Sequence, residues 1–316
     1  MSICFILLIA IILDAVAGEP KLIWEKVSHP VVLMGNAIDW FEKRYNQGPH
    51  KTRNGVFTII ALATFSISAG LIIYIFPLHS VIEVVLIAIL LAYKSLVDHI
   101  SGVSEASKIS LEESRLMVSK IVGRDVNILN ESGVARSTLE SAAENLSDGF
   151  IAPIFWYCLL GLPGILAYKM INTADSMIAH KNERFKEFGW ATAKLDDIVN
   201  FVPARVTAIL ILIAGFQITK ITTVYRDSKL HRSPNAGWPE TAMAVVLGIA
   251  LAGPRSYNGQ KGKDPYINVD GEHELSSYHI DNGIRLLQKT WFLTCLLYTS
   301  DAADEGLGVD LGGRRI

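Results

Sequence analysis

Gly55 to Pro77 reads GVFTIIALATFSISAGLIIYIFP and carries no charged residue. About 20 consecutive apolar residues suffice for a helix to cross a bilayer, so this stretch predicts a membrane span. Ser80 to Tyr93 follows almost at once with Glu83 as its only charge, and predicts the returning arm of a hairpin. Ser2 to Gly18 is apolar apart from Asp14; a cleaved signal peptide is the rival reading there, but no basic segment precedes it. Further apolar blocks run from Pro203 to Ile218, from Thr241 to Gly253 and onward from Ile284. The pattern predicts an all-α, multi-pass integral membrane protein with amphipathic helices and long polar loops.

Ile151 to Ile171 (IAPIFWYCLLGLPGILAYKMI) leaves two readings open. It is long enough for one span, but Gly161-Leu-Pro-Gly164 divides it into halves too short to cross alone. A re-entrant hairpin would return the chain to the side it came from, provided protein covers the freed backbone. The polar segments 19–54 and 94–150 each contain six Lys or Arg residues. If 55–93 is a hairpin, both lie on one face, and the positive-inside rule places that face in the cytoplasm of an inner membrane. The apolar spacing predicts helices over 94–121 and 134–149.

The 316 residues include 29 basic and 31 acidic ones, a net charge of -2, with a mean hydropathy of +0.33. This excludes a disordered or collagenous chain and gives no support for nucleic-acid binding. Three cysteines cannot frame a disulfide scaffold. There is no phosphate-loop signature, dinucleotide fingerprint, zinc spacing or nucleophile elbow.

Three polar constellations stand out. Glu140, Glu144 and Asp148 recur at every fourth position, which on a helix places them on one face. Three stacked carboxylates repel unless a cation neutralises them, and their oxygens suit Mg²⁺; a solvated acidic face is the plainer reading. Asn172, Thr173 and Asp175 follow the Pro-Gly break and fit either a helix cap or a ligand set. Asp196, Asp197 and Asn200 precede Arg205 at the mouth of an apolar block. That is a membrane-edge site or a simple Asp–Arg pair. Complementary groups are His29 before Pro30, Asn145, Arg124 in the Gly123-Arg124-Asp125 turn, Arg226, and Asn235 in the turn-rich Ser233–Gly237 loop.

Taken in order, these stretches resemble the CobD/CbiB family, the adenosylcobinamide-phosphate synthases of cobalamin biosynthesis. The resemblance rests on Gly18-Glu19-Pro20, His29-Pro30 with Gly35, Ile121–Asp125, Glu140–Pro153, Gly161–Gly164, Asn172–Ser176, Lys194–Asn200 with Pro203-Ala204-Arg205, Ser233–Gly237, and Gly253-Pro254 with Tyr257-Asn258-Gly259. Ala174 and His180 depart from the family's usual Leu and Gly. The resemblance implies an ATP-dependent ligase. It joins aminopropanol phosphate or ethanolamine phosphate by an amide bond to the free propionate of adenosylcobyric acid, with Mg²⁺ and ATP as co-reactants. Partners implied are the lipid bilayer and other corrin-pathway enzymes at the membrane. Under this reading Glu140, Glu144, Asp148, Asp196, Asp197 and His29 are catalytic candidates, and Glu144, Asp148, Asp175 and Asp196 are metal candidates. Arg124, Asn145, Asn172, Thr173, Asn200, Arg205, Arg226 and Asn235 are substrate-binding candidates.

The rival functions are a prenyltransferase, a transporter, and an AmpE-like membrane signalling protein without ligase activity. Polar residues lie mainly at block edges rather than at block centres, against the transporter. All three acidic clusters are intact, against a signalling relative that had lost them. Residues 1–294 are expected to form one membrane-embedded domain. From Cys295 the chain reads CLLYTSDAADE, which resembles a translated sequencing adapter, so residues 295–316 are expected to be non-native and to replace a natural C-terminus.

Overall fold

The computed structural model describes residues 2–18, 24–26, 28–180, 182–254, 256–257, 260–262 and 264–311. The motif positions Glu19-Pro20 and Asn258-Gly259 lie outside the described residues. Helices dominate, and the strands seen are two-residue ribbons: β1 (Leu251–Ala252) pairs antiparallel with β4 (Tyr266–Ile267), and β2 (Ser256–Tyr257) with β3 (Gln260–Lys261). Three helical stretches are long and apolar enough to cross a membrane: Lys51–Ile73, His79–Ile109 and Glu131–Ile178; Trp190–Val199 taken together with Phe201–Ala214 makes a fourth. The chain folds as two compact units, each assembled from separate segments.

Unit 1 comprises Met1–Ala92, Ala152–Asn200 and Leu297–Ile316. Its helices are α1 (Ile3–Ala17), α2 (Pro30–Tyr45), α3 (Lys51–Ile73), α4 (His79–Leu90), α8 (Ala152–Ile178) and α9 (Trp190–Val199). On α3, Phe57, Ile60, Phe65, Leu71 and Ile72 are exposed, an arrangement that suits lipid rather than water. The opposite face meets α8, and at Gly70 the approach is so close that a Cβ would stand 2.7 Å from the Pro163 α-carbon.

The ambiguous block resolves at Gly161, which has φ 63° and ψ -153° inside α8. A Cβ on Gly164 would lie 2.4 Å from the Trp156 carbonyl oxygen. Residues eight apart in a straight helix are separated by about 12 Å, so the chain folds back on itself here. This is the geometry that a re-entrant segment needs. The backbone groups freed by the break are covered by protein: the Leu162 N–H donates to the Tyr74 hydroxyl (2.9 Å). Tyr74 in turn donates to Glu83 Oε1 (3.1 Å), and the Tyr157 hydroxyl donates to the same oxygen (3.0 Å). Glu83, the charge that interrupts an otherwise apolar arm, thus anchors the turn. Tyr74→Phe is expected to destabilise by about 1–3 kcal/mol, because it strands a buried N–H and removes one of the carboxylate's donors. Thermal melting in detergent measures this, and an unchanged midpoint contradicts it.

In the same unit, Arg184 forms two bonds to the buried Glu42, Nε to Oε1 at 3.0 Å and Nη2 to Oε2 at 2.8 Å. The Arg184 hydrogen bond holds the Glu42 carboxyl below its ordinary range, against the opposing effect of burial. The folded-state pKa is depressed, so the pair stabilises the fold above the ordinary carboxylate pKa and the contribution is lost as pH falls through the lowered value. Arg184 is largely solvent-exposed, so solvent screening keeps the contribution small. Arg184→Ala is expected to remove that acid-sensitive increment from pH-dependent melting curves.

Unit 2 comprises Tyr93–Ile151 and Phe201–Leu296. Its helices are α5 (Tyr93–Ile109), α6 (Leu111–Val118), α7 (Glu131–Leu146), α10 (Phe201–Ala214), α11 (Ile221–Asp227), α12 (Gly237–Leu247) and α13, which begins at Ser277 and runs to Leu311. The helix predicted over 94–121 is two helices. Ser110 caps the second by accepting from the Glu113 N–H (3.1 Å), with Glu112 and Glu113 in its first turn. The helix predicted over 134–149 begins at Glu131, capped by Asn130, and passes after Leu146 into a π-turn, Ser147–Ile151. Small side chains on the inner face of α10, among them Ala204, Thr207 and Ala208, are fully buried where it packs on α12.

Candidate functional site

Within unit 2, three stretches far apart in sequence line one cleft of about 270 Å³. They are the Ile121–Arg124 turn; Glu140, Ser141, Glu144 and Asn145 on α7; and His231, Ser233, Ala236 and Glu240 around the start of α12. Three of the sequence motifs therefore meet in one place.

The cleft is built around a buried ion pair. Glu140 is 2% exposed, and its Oε2 accepts from Arg124 Nη2 at 2.6 Å. Its Oε1 accepts from the Ala252 backbone N–H at 2.7 Å. Arg124 Nη1 also donates to Ser137 Oγ (3.1 Å), one turn before Glu140 on α7. Both carboxylate oxygens are thus engaged by protein, and Glu140 acts as the anchor that aims the Arg124 guanidinium. Two of that group's five N–H donors are engaged in these bonds. Ser141 Oγ donates to the Ile121 carbonyl (3.1 Å), fixing the turn that carries Arg124, and Asn145 Nδ2 donates to the Ser141 carbonyl (2.9 Å).

The opposite wall is a second acid–base pair that sequence reading missed. His231 Nε2 stands 3.4 Å from Glu240 Oε1, and both side chains are buried. The Ser233 N–H donates to His231 Nδ1 (3.1 Å), so the imidazole is held from both nitrogens. Ser233 Oγ accepts from the N–H groups of Asn235 (3.2 Å) and Ala236 (3.1 Å), which shapes the loop predicted as a turn. The available signal was an acid one turn into an apolar helix with a histidine just ahead of it.

The acidic stripe departs from its predicted form. Glu140 points inward and is buried, Glu144 is exposed on the cleft, and Asp148 is half-buried in the π-turn. The plain reading of a solvated acidic face fails at Glu140, which is inside and paired.

Other candidates in unit 2 lie off this cleft. Arg205 Nη1 donates to Asn235 Oδ1 (2.6 Å) and to the Phe201 carbonyl (2.8 Å). Arg226 is mostly exposed and donates to Asp227 Oδ1 (2.6 Å).

Unit 1 gathers a separate polar cluster. Asn200 Nδ2 donates to Asp196 Oδ2 (3.0 Å), and Tyr168, in the second arm of α8, donates to Asn200 Oδ1 (2.9 Å). Trp156, in the first arm, donates to the Val199 carbonyl (3.0 Å). Thr173 Oγ1 is turned back onto the Lys169 carbonyl (2.6 Å). Asp175 is half-buried, and Asp197 lies 3.9 Å from Lys194. His29 caps α2: its Nδ1 accepts from the Val31 N–H (3.2 Å) and its ring lies 4.4 Å from that of Trp24. Among the described residues no three His, Cys, Asp or Glu side chains are grouped to hold a metal ion.

Known proteins similar to this chain agree with one another. The profile of the family described as CobD/Cbib protein matches residues 7–287. A protein named cobalamin biosynthesis protein CobD from Brucella suis biovar 1 is 46% identical over 307 residues, covering 91% of this chain and 93% of its own length. Proteins of the same name from a Sinorhizobium species and from Rhodobacter capsulatus are 45% and 40% identical, covering 90% and 85% of this chain and 93% and 88% of their own. No solved structure matches.

Proposed function

The chain belongs to the CobD/CbiB family, and from that premise we propose that it is a cobalamin-biosynthesis ligase of the bacterial inner membrane, crossing it several times. The reaction joins (R)-1-amino-2-propanol phosphate, or ethanolamine phosphate, by an amide bond to the free propionate of adenosylcobyric acid. The observation that supports this reading best is the cleft of unit 2, where the Ile121–Arg124, Glu140–Asn145 and His231–Glu240 stretches converge.

A carboxylate is a poor acyl donor and must first be activated. In the proposed sequence a propionate oxygen attacks the γ-phosphorus of ATP, and ADP leaves. The amine nitrogen then attacks the acyl carbon, inorganic phosphate departs, the amide forms, and the nitrogen gives up its proton. Arg124, steered by Glu140, offers its remaining N–H donors to the phosphate of the aminoalcohol. Asn145 lines the same wall and orients oxygens. His29 caps a helix in unit 1, so its Nδ1 lone pair is committed to that structural task.

The residues fit Mg²⁺ in one form. That ion keeps several waters and takes one or two protein carboxylates together with substrate phosphates. Glu144, exposed on the cleft and not buried like Glu140, is the carboxylate that would hold it. When bound, the ion would neutralise phosphate charge.

The test is to incubate the protein in nanodiscs with adenosylcobyric acid, aminopropanol phosphate, Mg²⁺ and ATP, and to follow the corrinoid by mass spectrometry. The expected result is a mass gain equal to the amine minus water that requires every component. An unchanged corrinoid mass with folded protein, beside an active family enzyme as control, overturns the proposal.

A further inference from the structure

A second concavity in unit 2 lies on the other side of the Ser233–Gly237 loop. It is a groove of about 540 Å³ at the start of α10, lined by aromatic and cationic side chains and by no carboxylate. Arg205 stacks between two rings, 3.8 Å from the Phe201 centroid and 4.7 Å from that of Trp238. Lys229 Nζ stands 3.7 Å from the Tyr225 centroid. Phe201 and Tyr225 are each 55% exposed, although such rings are ordinarily covered.

The groove continues into an apolar stripe. Val202, Ile209 and Ile213 are spaced at seven and four residues, which puts them on one face of α10, and all three are exposed. Phe216, just past the helix, is 89% exposed. The buried face of α10 is already committed to α12. The exposed apolar stripe of α10 ends at a groove where Arg205 is joined by Tyr225, Lys229 and Trp238 from neighbouring elements, the layering of a membrane interface.

We propose that this groove is a specific phospholipid site. It takes the anionic headgroup of one membrane lipid between Arg205 and Lys229, with an acyl chain along the Val202–Ile209–Ile213 stripe. Charge complementarity selects the lipid class: both cations line the groove, no carboxylate does, and Asp227, next to Ser228 in the chain, is buried and paired with Arg226. The aromatic rings hold the glycerol backbone at the boundary between headgroup and chain.

The probe is phosphatidylglycerol against phosphatidylcholine of the same chain length, added to detergent-purified protein and followed by native mass spectrometry. One phosphatidylglycerol is expected to be retained in preference to phosphatidylcholine. Lys229→Gln is expected to weaken retention about fivefold, the loss that goes with one cation near an anionic lipid, while Lys229→Arg keeps it. The melting midpoint of each variant establishes that it is folded. Equal retention of the two lipids, or retention unchanged in Lys229→Gln, overturns the proposal. Displacement by millimolar inorganic phosphate or by adenosylcobyric acid also overturns it, because the groove then belongs to a soluble anion or to the substrate. None of these outcomes depends on ligase activity.

Discussion

Arg124→Ala is expected to destabilise unit 2 by about 3–5 kcal/mol, among the largest effects of any single substitution in this chain. The reason is what it leaves behind. Glu140 is 2% exposed and would keep its charge, with the Ala252 backbone N–H among its partners but without the guanidinium that neutralises it. Burying a charge without its partner costs far more than losing a surface pair. Glu140→Gln is expected to cost less, because the amide still meets the Ala252 N–H through its oxygen and leaves Arg124 at 12% side-chain exposure, partly reached by water. The double variant Arg124→Ala, Glu140→Gln is expected to recover part of the loss. Melting in detergent followed by near-ultraviolet circular dichroism measures all three. An Arg124→Ala midpoint equal to that of wild type contradicts the anchoring role given to the pair.

Glu144→Ala is expected to leave the melting midpoint within the small range of exposed substitutions, since Glu144 faces solvent on the cleft. Its effect falls on the reaction. On the proposed reading Glu144 would hold Mg²⁺ against phosphate charge, and removing it is then expected to lower kcat by about a hundredfold or more. The KM for the corrinoid is expected to stay near wild type, as it does when the interaction removed is one made only in the transition state. A parallel rise in KM with kcat unchanged would assign Glu144 to ground-state binding instead. Glu144→Gln separates charge from hydrogen bonding: the account expects it to be as impaired as Glu144→Ala.

The helical membrane character was legible because it rests on local composition. Gly55–Pro77 has no charge to contradict a span, and the structure makes Lys51–Ile73 one helix. Gly161 was also legible as a break, since glycine tolerates the positive φ found there and Pro163 follows at once. What covers that break was not legible: Tyr74, just past the end of α3, and Glu83, on α4, are far from it in sequence, and neither carries a local signature. The site shows the same division. Arg124 in a Gly-Arg-Asp turn and the Glu140–Asn145 run were visible as polar motifs. Their meeting was not, because the second partner of Glu140 is the backbone N–H of Ala252, and any residue but proline supplies that group. The fourfold acidic spacing was legible, but not the difference in burial along it: Glu140 is buried and paired, Glu144 exposed, and Asp148 half-buried in a π-turn. Glu240 was passed over because an acid in an apolar run reads as an isolated charge until His231 is seen beside it.

A labelling experiment tests most directly whether ligation takes place in the unit 2 cleft. A diazirine-bearing aminoalkyl phosphate would be photolysed on the nanodisc protein in the presence of Mg²⁺ and ATP, and the modified peptides identified by mass spectrometry. The account predicts label within 121–124, 140–145 or 231–240, suppressed by excess aminopropanol phosphate. Suppressible label confined to 156–200, around Asp196 and Asn200, would contradict it.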